Sequence, residues 1–281
     1  MQIYYFGKCK CTIHTDHDVR LPETFREEQP YTYEINVSVS KESGIPACGQ
    51  GISYDKHSCI AKCEGGWLLY PYSDRKMIKN ALWIAGDYQK IISYGEWGGH
   101  KVYGEKAIDY MRVFFDAVLP INGGSIIHSS CVKYKERCIL FCGPSGVGKS
   151  THAGQWEKRF QAPMLSSDAP AVFVEADGAE AYGMPWDGSD NIKVQEHCPI
   201  AAVVFLSQGR QNRIAGISQA AAFRMLLKQG HMPMWDQKAM LKEMHVLKKL
   251  SAAVPCFCLD CLPDIAAAEL VERAVFRNNI G

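Results

Sequence analysis

Residues 143–151 read GPSGVGKST, matching G-x-x-x-x-G-K-[ST], a spacing at which a chain can wrap an anion. Small residues in such a loop let successive backbone N–H groups converge on phosphate oxygens. A helix that starts where the loop ends adds partial positive charge aimed at the same anion. In this pattern Gly143, Pro144, Ser145, Gly146, Val147 and Gly148 form the cradle. Lys149 supplies a point charge for the β- and γ-phosphates, and the Ser150 hydroxyl, followed by Thr151, is placed to ligate Mg²⁺. The flanks agree, since CILFC (138–142) precedes the loop as an apolar strand and HAGQWEKRF (152–160) continues it as a helix. The ligand expected on the loop is a nucleotide, ATP or GTP.

A metal held by a nucleotide's phosphates needs a second acidic ligand, which usually caps an apolar strand beside the loop. Asp168, in PMLSSDAPAVF, follows Ser150 closely enough to leave room for one helix and one strand only. A Ras-type switch would place further segments there, so the spacing argues against a GTPase switch. His128, in GGSIIHSSCV, lies on the strand that enters a hairpin upstream of the loop. Its ordinary reading is a hydrogen-bonded core histidine; beside a phosphate loop, an imidazole can also donate to a phosphoryl oxygen or hold an acceptor. In YGMPWDGSDNIK (182–193), Pro185 and Gly188 make a rigid turn, and Trp186 offers a face to stack on. Trp186, Asp187, Asn191 and Lys193 are therefore substrate candidates, weighed evenly against a plain hairpin corner anchored by a tryptophan. Arg210 and Arg213 in QGRQNRI read as a solvated turn.

Taken together, IIHSSCV, ILFCGPSGVGKST, SSDAPAV and YGMPWDGS resemble the kinase domain of HPr kinase/phosphorylase, a branch of the phosphoenolpyruvate carboxykinase-like superfamily. ISQAAAFRMLLKQ and VPCFCLDCLPDIAAAELVERAV look like HPr-kinase-related proteins, some of them linked to modified-peptide biosynthesis. The resemblance runs from residue 120 onward. It implies an α/β fold, with a phosphoenolpyruvate carboxykinase-like P-loop domain behind a smaller β-rich N-terminal domain. It also implies transfer of the γ-phosphoryl group of Mg-ATP to a Ser or Thr hydroxyl of a peptide or small protein, a modified-peptide precursor among them. By position, Lys149 and Ser150 take the phosphate and metal roles, Asp168 acts at the acceptor hydroxyl or the metal, and His128 matches the family's upstream histidine. A homo-oligomer is a further expectation, since hexamers occur among the resembling kinases. The family carries two adjacent acids where this chain has Ser167 followed by Asp168. A neutral hydroxyl there removes negative charge from the metal's surroundings. A small-molecule hydroxyl kinase and a non-catalytic nucleotide-binding regulator therefore stay open as alternatives.

The elements that must position these residues change in texture along the chain. Residues 1–95 read as β-rich, with QIYYFG, YTYEINVSVS, SCIAKC, GWLLYPY and KIISYG as strands. The Gly- and Pro-bearing 41–56 reads as an exposed loop. GEKAIDYMRVFFDAVLP (104–120) has helical spacing and a stop at Pro120. Beyond it come a hairpin around KYKER, the loop and its helix, a strand at PMLSSD and a hairpin at ADG. The strand IAAVVFLS (200–207) is apolar on both faces. Helices at 218–230 and 235–250, a strand at 254–259 and a helix at 263–276 complete the order. The division expected is a β-rich domain over 1–103 and a nucleotide-binding domain over 104–281.

The 281 residues carry a formal net charge of +1, so nothing global draws the chain to nucleic acid or an anionic membrane. No stretch approaches the ~20 apolar residues that span a bilayer, and Lys8, Lys10 and His14 interrupt any secretory h-region. The expected location is the cytoplasm. The twelve cysteines then read as thiols. Cys9-x-Cys11 and Cys256-x-Cys258-x-x-Cys261 read as packing residues before they read as fragments of a metal site.

Overall fold

The computed structural model describes residues 1–15, 22–54, 58–72, 77–94, 108–186 and 192–277, with the side chains of the first helix described from residue 112 onward. The architecture is mixed α/β with a β-rich N-terminal region. It divides into two compact units, Met1–Val118 with Pro233–Met240, and Leu119–Met232 with Leu241–Gly281.

The first unit is built on one eight-stranded sheet. Its strands are β1 (Gln2–Phe6), β2 (Cys9–Thr15), β3 (Tyr33–Glu42), β4 (Ile52–Ser53), β5 (Ser58–Cys63), β6 (Gly66–Pro71), β7 (Ala81–Ala85) and β8 (Lys90–Tyr94). They run in the order β1-β2-β3-β8-β7-β6-β5-β4. β3 pairs in parallel with both β2 and β8, so the sheet is two antiparallel ribbons joined through β3. β2 alternates cleanly: Cys9, Cys11 and Ile13 are fully buried and the residues between them are not. That period of two is what a half-covered strand requires. Part of the cover comes from helix α1 (Ile108–Ile121), where Phe115 meets Phe6 edge-on at a centroid distance of 5.0 Å.

The second unit places the loop. β15 (His197–Gln208) is its spine. β15 pairs in parallel with β11 (Arg137–Cys142) and β17 (Cys256–Cys261). Near its start it pairs antiparallel with β14 (Gly178–Tyr182), which leads through β13 (Ala171–Glu175) to β9 (Gly124–Ile126). β10 (Ser129–Tyr134) pairs with β11 and carries β12 (Met164–Ser166) on its other side, and β16 (Arg213–Gly216) pairs with β17. Ile139 faces Ala202 while Cys138 faces Ile200, so Ala201 is an extra residue on β15. Such a bulge bends a strand, and here it falls where β15 passes from one set of partners to the other.

Burial follows from this topology. Cys138, Leu140 and Cys142 of β11 point into one core, closed by Ala222 and Leu226 of α3 (Gln219–Leu226) and by Val246, Leu247 and Leu250 of α4 (Gln237–Ala253). Ile139 and Phe141 point into the other, closed by Ala153 and Trp156 of α2 (Lys149–Phe160) and Ala268 and Val271 of α5 (Ile265–Glu272). A stretch covered on both faces must be apolar, and Cys138–Cys142 of β11 and Ile200–Leu206 of β15 are.

Several elements differ from the sequence reading. α1 runs through Pro120 to Ile121. A proline this late removes a single amide from the helical ladder, and the helix is closed instead by Gly123, whose φ is +79° and whose N–H bonds the Pro120 carbonyl. β2, β4 and β7 are additional strands: CKCTIHT carries polar residues between its buried ones, ALWIA is short, and Ile52–Ser53 pairs with β5 inside the stretch 41–56 where an exposed loop is expected. Arg213 opens β16, pairing with Asp260, where a solvated turn is expected. The hairpin at KYKER turns on Lys135 and Glu136, with φ of +50° and +56°. Positive φ at both central positions is the turn that matches strand twist in a two-residue hairpin. Among the described residues, no helix is long and apolar enough to cross a membrane.

Candidate functional site

The GPSGVGKST loop joins the end of β11 to the start of α2. Gly148 is the N-cap of α2 with φ +107°, a backbone state that side-chain-bearing residues rarely adopt, and no side chain caps that end of the helix. A Cβ at Gly148 would have nothing within 4 Å, so the space beside the helix start is open. At Gly143 the reverse holds: a Cβ would stand 2.9 Å from Val147 Cγ1 and 3.1 Å from the Leu206 carbonyl oxygen. The missing side chain there lets the loop leave the sheet tightly against β15.

Lys149 folds back over the loop. Its Nζ donates to the carbonyls of Gly143 at 3.1 Å and Pro144 at 3.4 Å, and the residue is 8% exposed. Burial pulls its ammonium below the ordinary lysine range; the Asp168 carboxylate and, after it, the Cys142 thiol act in the opposite sense. Ser150 and Thr151 are exposed at the start of α2.

Behind the loop, His152 is 3% exposed and accepts a hydrogen bond at Nε2 from Trp156 Nε1 at 3.3 Å. Its ring meets Phe141 edge-on at 4.6 Å, and burial pushes its pKa down to about 4. This imidazole is a neutral packing group in the floor beneath the loop.

His128 and Asp168 are brought together by backbone pairing. The stretch 126–129 runs between 168–170 on one side and 229–231 on the other. Ile127 N–H bonds the Pro170 carbonyl and Ser129 N–H bonds the Asp168 carbonyl. On the other side His128 N–H bonds the Gln229 carbonyl, and His231 N–H bonds the Ile126 carbonyl. The result places His128 Nε2 3.3 Å from Asp168 Oδ1, with both side chains partly open to solvent. Ser130 Oγ donates to the Ser167 carbonyl at 2.9 Å, and the Ser166 hydroxyl accepts from Ala169 N–H at 3.3 Å. Ser167 is only 3% exposed. These bonds fix the SSDA turn that presents Asp168.

Trp186 is 3% exposed and donates from Nε1 to the Ala169 carbonyl at 3.0 Å. The ring is an anchor under the SSDA turn and has no open face to stack on. Asp187 and Asn191 lie outside the described residues; Lys193 is half-buried. Sequence reasoning missed Gln229, whose side-chain Oε1 accepts from Gly143 N–H at 3.2 Å. No motif marks it: it is one polar residue at the end of an amphipathic helix, far from the loop in sequence.

The structure thus places His128 beside Asp168 and folds Lys149 over a glycine-bearing loop at the start of α2. That arrangement offers a buried cation, hydroxyls at a helix start, and a carboxylate next to an imidazole. Hard oxygen donors such as Ser150 and Asp168 suit Mg²⁺. No family model and no curated protein matches the chain. Among solved structures it is similar to the Hpr(Ser) kinase/phosphatase from Coxiella burnetii, at 10% identity and a TM-score of 0.32, over 54% of this chain and 88% of that one.

Proposed function

We propose that this chain is an HPr-kinase-like phosphotransferase of the P-loop class, which moves the γ-phosphoryl group of Mg-ATP to a Ser or Thr hydroxyl of a peptide or small protein. The observation that carries the reading is a glycine-bearing loop that opens α2, with Lys149 folded over the loop carbonyls and the His128–Asp168 pair held at 3.3 Å. A phosphate-binding lysine and a carboxylate at one place are what hydroxyl phosphorylation needs from a protein.

In this reading the loop amides and Lys149 hold the β- and γ-phosphates, and Ser150 and Asp168 hold the metal, which when bound neutralises charge on the phosphoryl oxygens. The acceptor oxygen bonds to phosphorus as the bond from phosphorus to the β-phosphate bridge oxygen breaks, and that oxygen leaves with ADP. The hydroxyl proton passes to the Asp168 carboxylate. His128, 3.3 Å from that carboxylate, orients it. A modified-peptide precursor is the substrate class we favour, and a small-molecule hydroxyl is the alternative acceptor.

A second reading draws on Ser167, buried and neutral where an acid would add charge beside the metal. It makes the chain a nucleotide-binding regulator without turnover. Measuring ATP consumption with Mg²⁺ and candidate peptides separates the two, using the parent chain, Asp168→Asn and Ser167→Asp. Peptide-dependent turnover that Asp168→Asn abolishes supports the kinase. Tight binding without turnover in the parent, with turnover gained in Ser167→Asp, supports the regulator. No nucleotide binding by the parent chain sinks both.

A further inference from the structure

Resting on the phosphate-site reading above, we propose that Gln229 is a positioning residue that sets the phosphate loop and the His128 segment against one another. It follows α3 and is 9% exposed. Its main-chain carbonyl accepts from His128 N–H at 2.8 Å, and its side-chain Oε1 accepts from Gly143 N–H at 3.2 Å. One residue therefore holds both the first residue of the loop and the residue that carries the imidazole. The orientation of the carboxamide follows from chemistry, because only its oxygen can accept from a backbone N–H.

Gln229 is itself held on every side that matters. Its own N–H and that of Gly230 both bond the Leu226 carbonyl, at 2.9 and 2.8 Å, which ties it to the end of α3. Gly230 bridges Ile127, and His231 N–H bonds Ile126, so 229–231 forms a short antiparallel clamp on 126–128. Gly230 also sits hard against α4: a Cβ there would meet Glu243 Oε1 at 2.6 Å and Leu247 Cδ1 at 2.8 Å. The clamp cannot slide without disturbing two helices, and this rigidity is what lets a single side chain fix the loop.

Gly143 follows the last residue of β11 and opens the loop, and its N–H is tied to the Gln229 side chain. In the phosphate-site reading, where that first residue is held decides where the loop meets a phosphate. The His128 amide decides where the imidazole reaches Asp168. Phosphoryl transfer depends on placement to fractions of an ångström, so a shared anchor for both matters to turnover more than to fold.

The test uses the full chain and two variants, Gln229→Met and Gln229→Glu. Methionine keeps the side chain's length and the main-chain carbonyl but removes the acceptor; glutamate restores the acceptor. Amide hydrogen exchange is read at Gly143 and His128, and Mg-ATP affinity and kcat are read beside it. Gln229→Met is expected to speed exchange at Gly143 at least tenfold, to leave exchange at His128 near the parent rate because its acceptor is the retained main-chain carbonyl, and to weaken Mg-ATP binding about tenfold, with kcat falling further. Gln229→Glu is expected to return exchange at Gly143 to near the parent rate. Unchanged exchange at Gly143 in Gln229→Met overturns the anchor, as does faster exchange that glutamate does not rescue, or an equal rise at His128, which would mean a general loosening. Faster exchange with parental nucleotide affinity and kcat overturns the functional role. Should the parent bind no nucleotide, the phosphotransferase reading fails by itself, and the exchange rates alone still decide whether Gln229 anchors the loop.

Discussion

In the proposed reading Lys149 meets the incoming phosphate, and its hydrogen-bond partners among the described residues are the carbonyls of Gly143 and Pro144. A buried ammonium costs desolvation, which is why burial pulls its pKa down. Replacing it by methionine removes that cost together with two hydrogen bonds, so the fold should lose little. Nucleotide binding should lose much, since charge-assisted hydrogen bonds contribute roughly 1.5–3 kcal/mol each. Lys149→Met is expected to weaken Mg-ATP binding about 100-fold, equivalent to about 2.7 kcal/mol, with a melting temperature within a few degrees of the parent. Isothermal titration and a thermal melt check the two halves, and retained affinity would remove the lysine from the site. At this scale the loop at the head of α2, and His128 and Asp168 as candidates, could be named from the sequence because each sits in a motif with a chemical reason. Gln229 and the buried setting of Trp186 were not, because each depends on what lies beside it in space. A tryptophan next to a polar loop reads the same from the chain whether its ring faces in or out.

The helix that carries the loop has a correctable end. α2 stops at Gln161, whose φ of +55° lies in the left-handed region, with its N–H bonded to the Glu157 carbonyl. Glycine is the usual residue there because it has no Cβ to clash, and a left-handed non-glycine residue costs roughly 1–2 kcal/mol. Gln161→Gly should therefore stabilise the chain by about 1 kcal/mol, read as a higher midpoint in urea, and an unchanged or lower midpoint counts against the cap assignment. α5 offers the opposite case. Asp264 caps it by accepting from Ala267 N–H at 3.0 Å and also accepts from Asn212 Nδ2 at 2.8 Å. Asp264→Ala should cost about 1–2 kcal/mol by the same measurement, near the top of the range for a lost N-cap. The α5 cap was visible as Pro263 and Asp264 ahead of an apolar run, whereas the α2 stop was not, since glutamine carries no stop signal. Strands split in the same way. β11 and β15 were legible as unbroken apolar runs, but the parallel pairing of β3 with β2 and β8 joins segments by contacts that no local pattern encodes.

Across the whole molecule, cysteine shows most plainly what burial does to chemistry. All twelve are free thiols; eight are buried, while Cys48, Cys63, Cys258 and Cys261 are half-buried. A disulfide-exchange reagent at neutral pH should therefore modify those four first and reach the others only on unfolding. The return of Pro233–Met240 to the first unit could not be read from the chain, but the packing role of Cys256 could, because its place in an alternating strand offers packing before ligation. The burial of the cysteines also predicts how stability responds to alkali. Burial raises the Cys9 thiol from 9.0 to about 12 in the folded chain. Below pH 9 both folded and unfolded states keep the proton, and stability does not depend on this group. Above pH 9 the unfolded thiol ionises while the folded one does not, so unfolding releases a proton and stability falls as pH rises toward the folded value. By pH 10.5 the loss from Cys9 alone should be about 2 kcal/mol, with a slope approaching 1.4 kcal/mol per pH unit. Cys9→Ala leaves a small cavity that lowers stability at every pH, but it removes one titrating group. The slope of unfolding free energy between pH 9.5 and 10.5 should therefore be shallower in the variant by about that amount. Equal slopes would mean that the Cys9 thiol ionises as readily in the folded chain as in the unfolded one, and that β2 does not bury it.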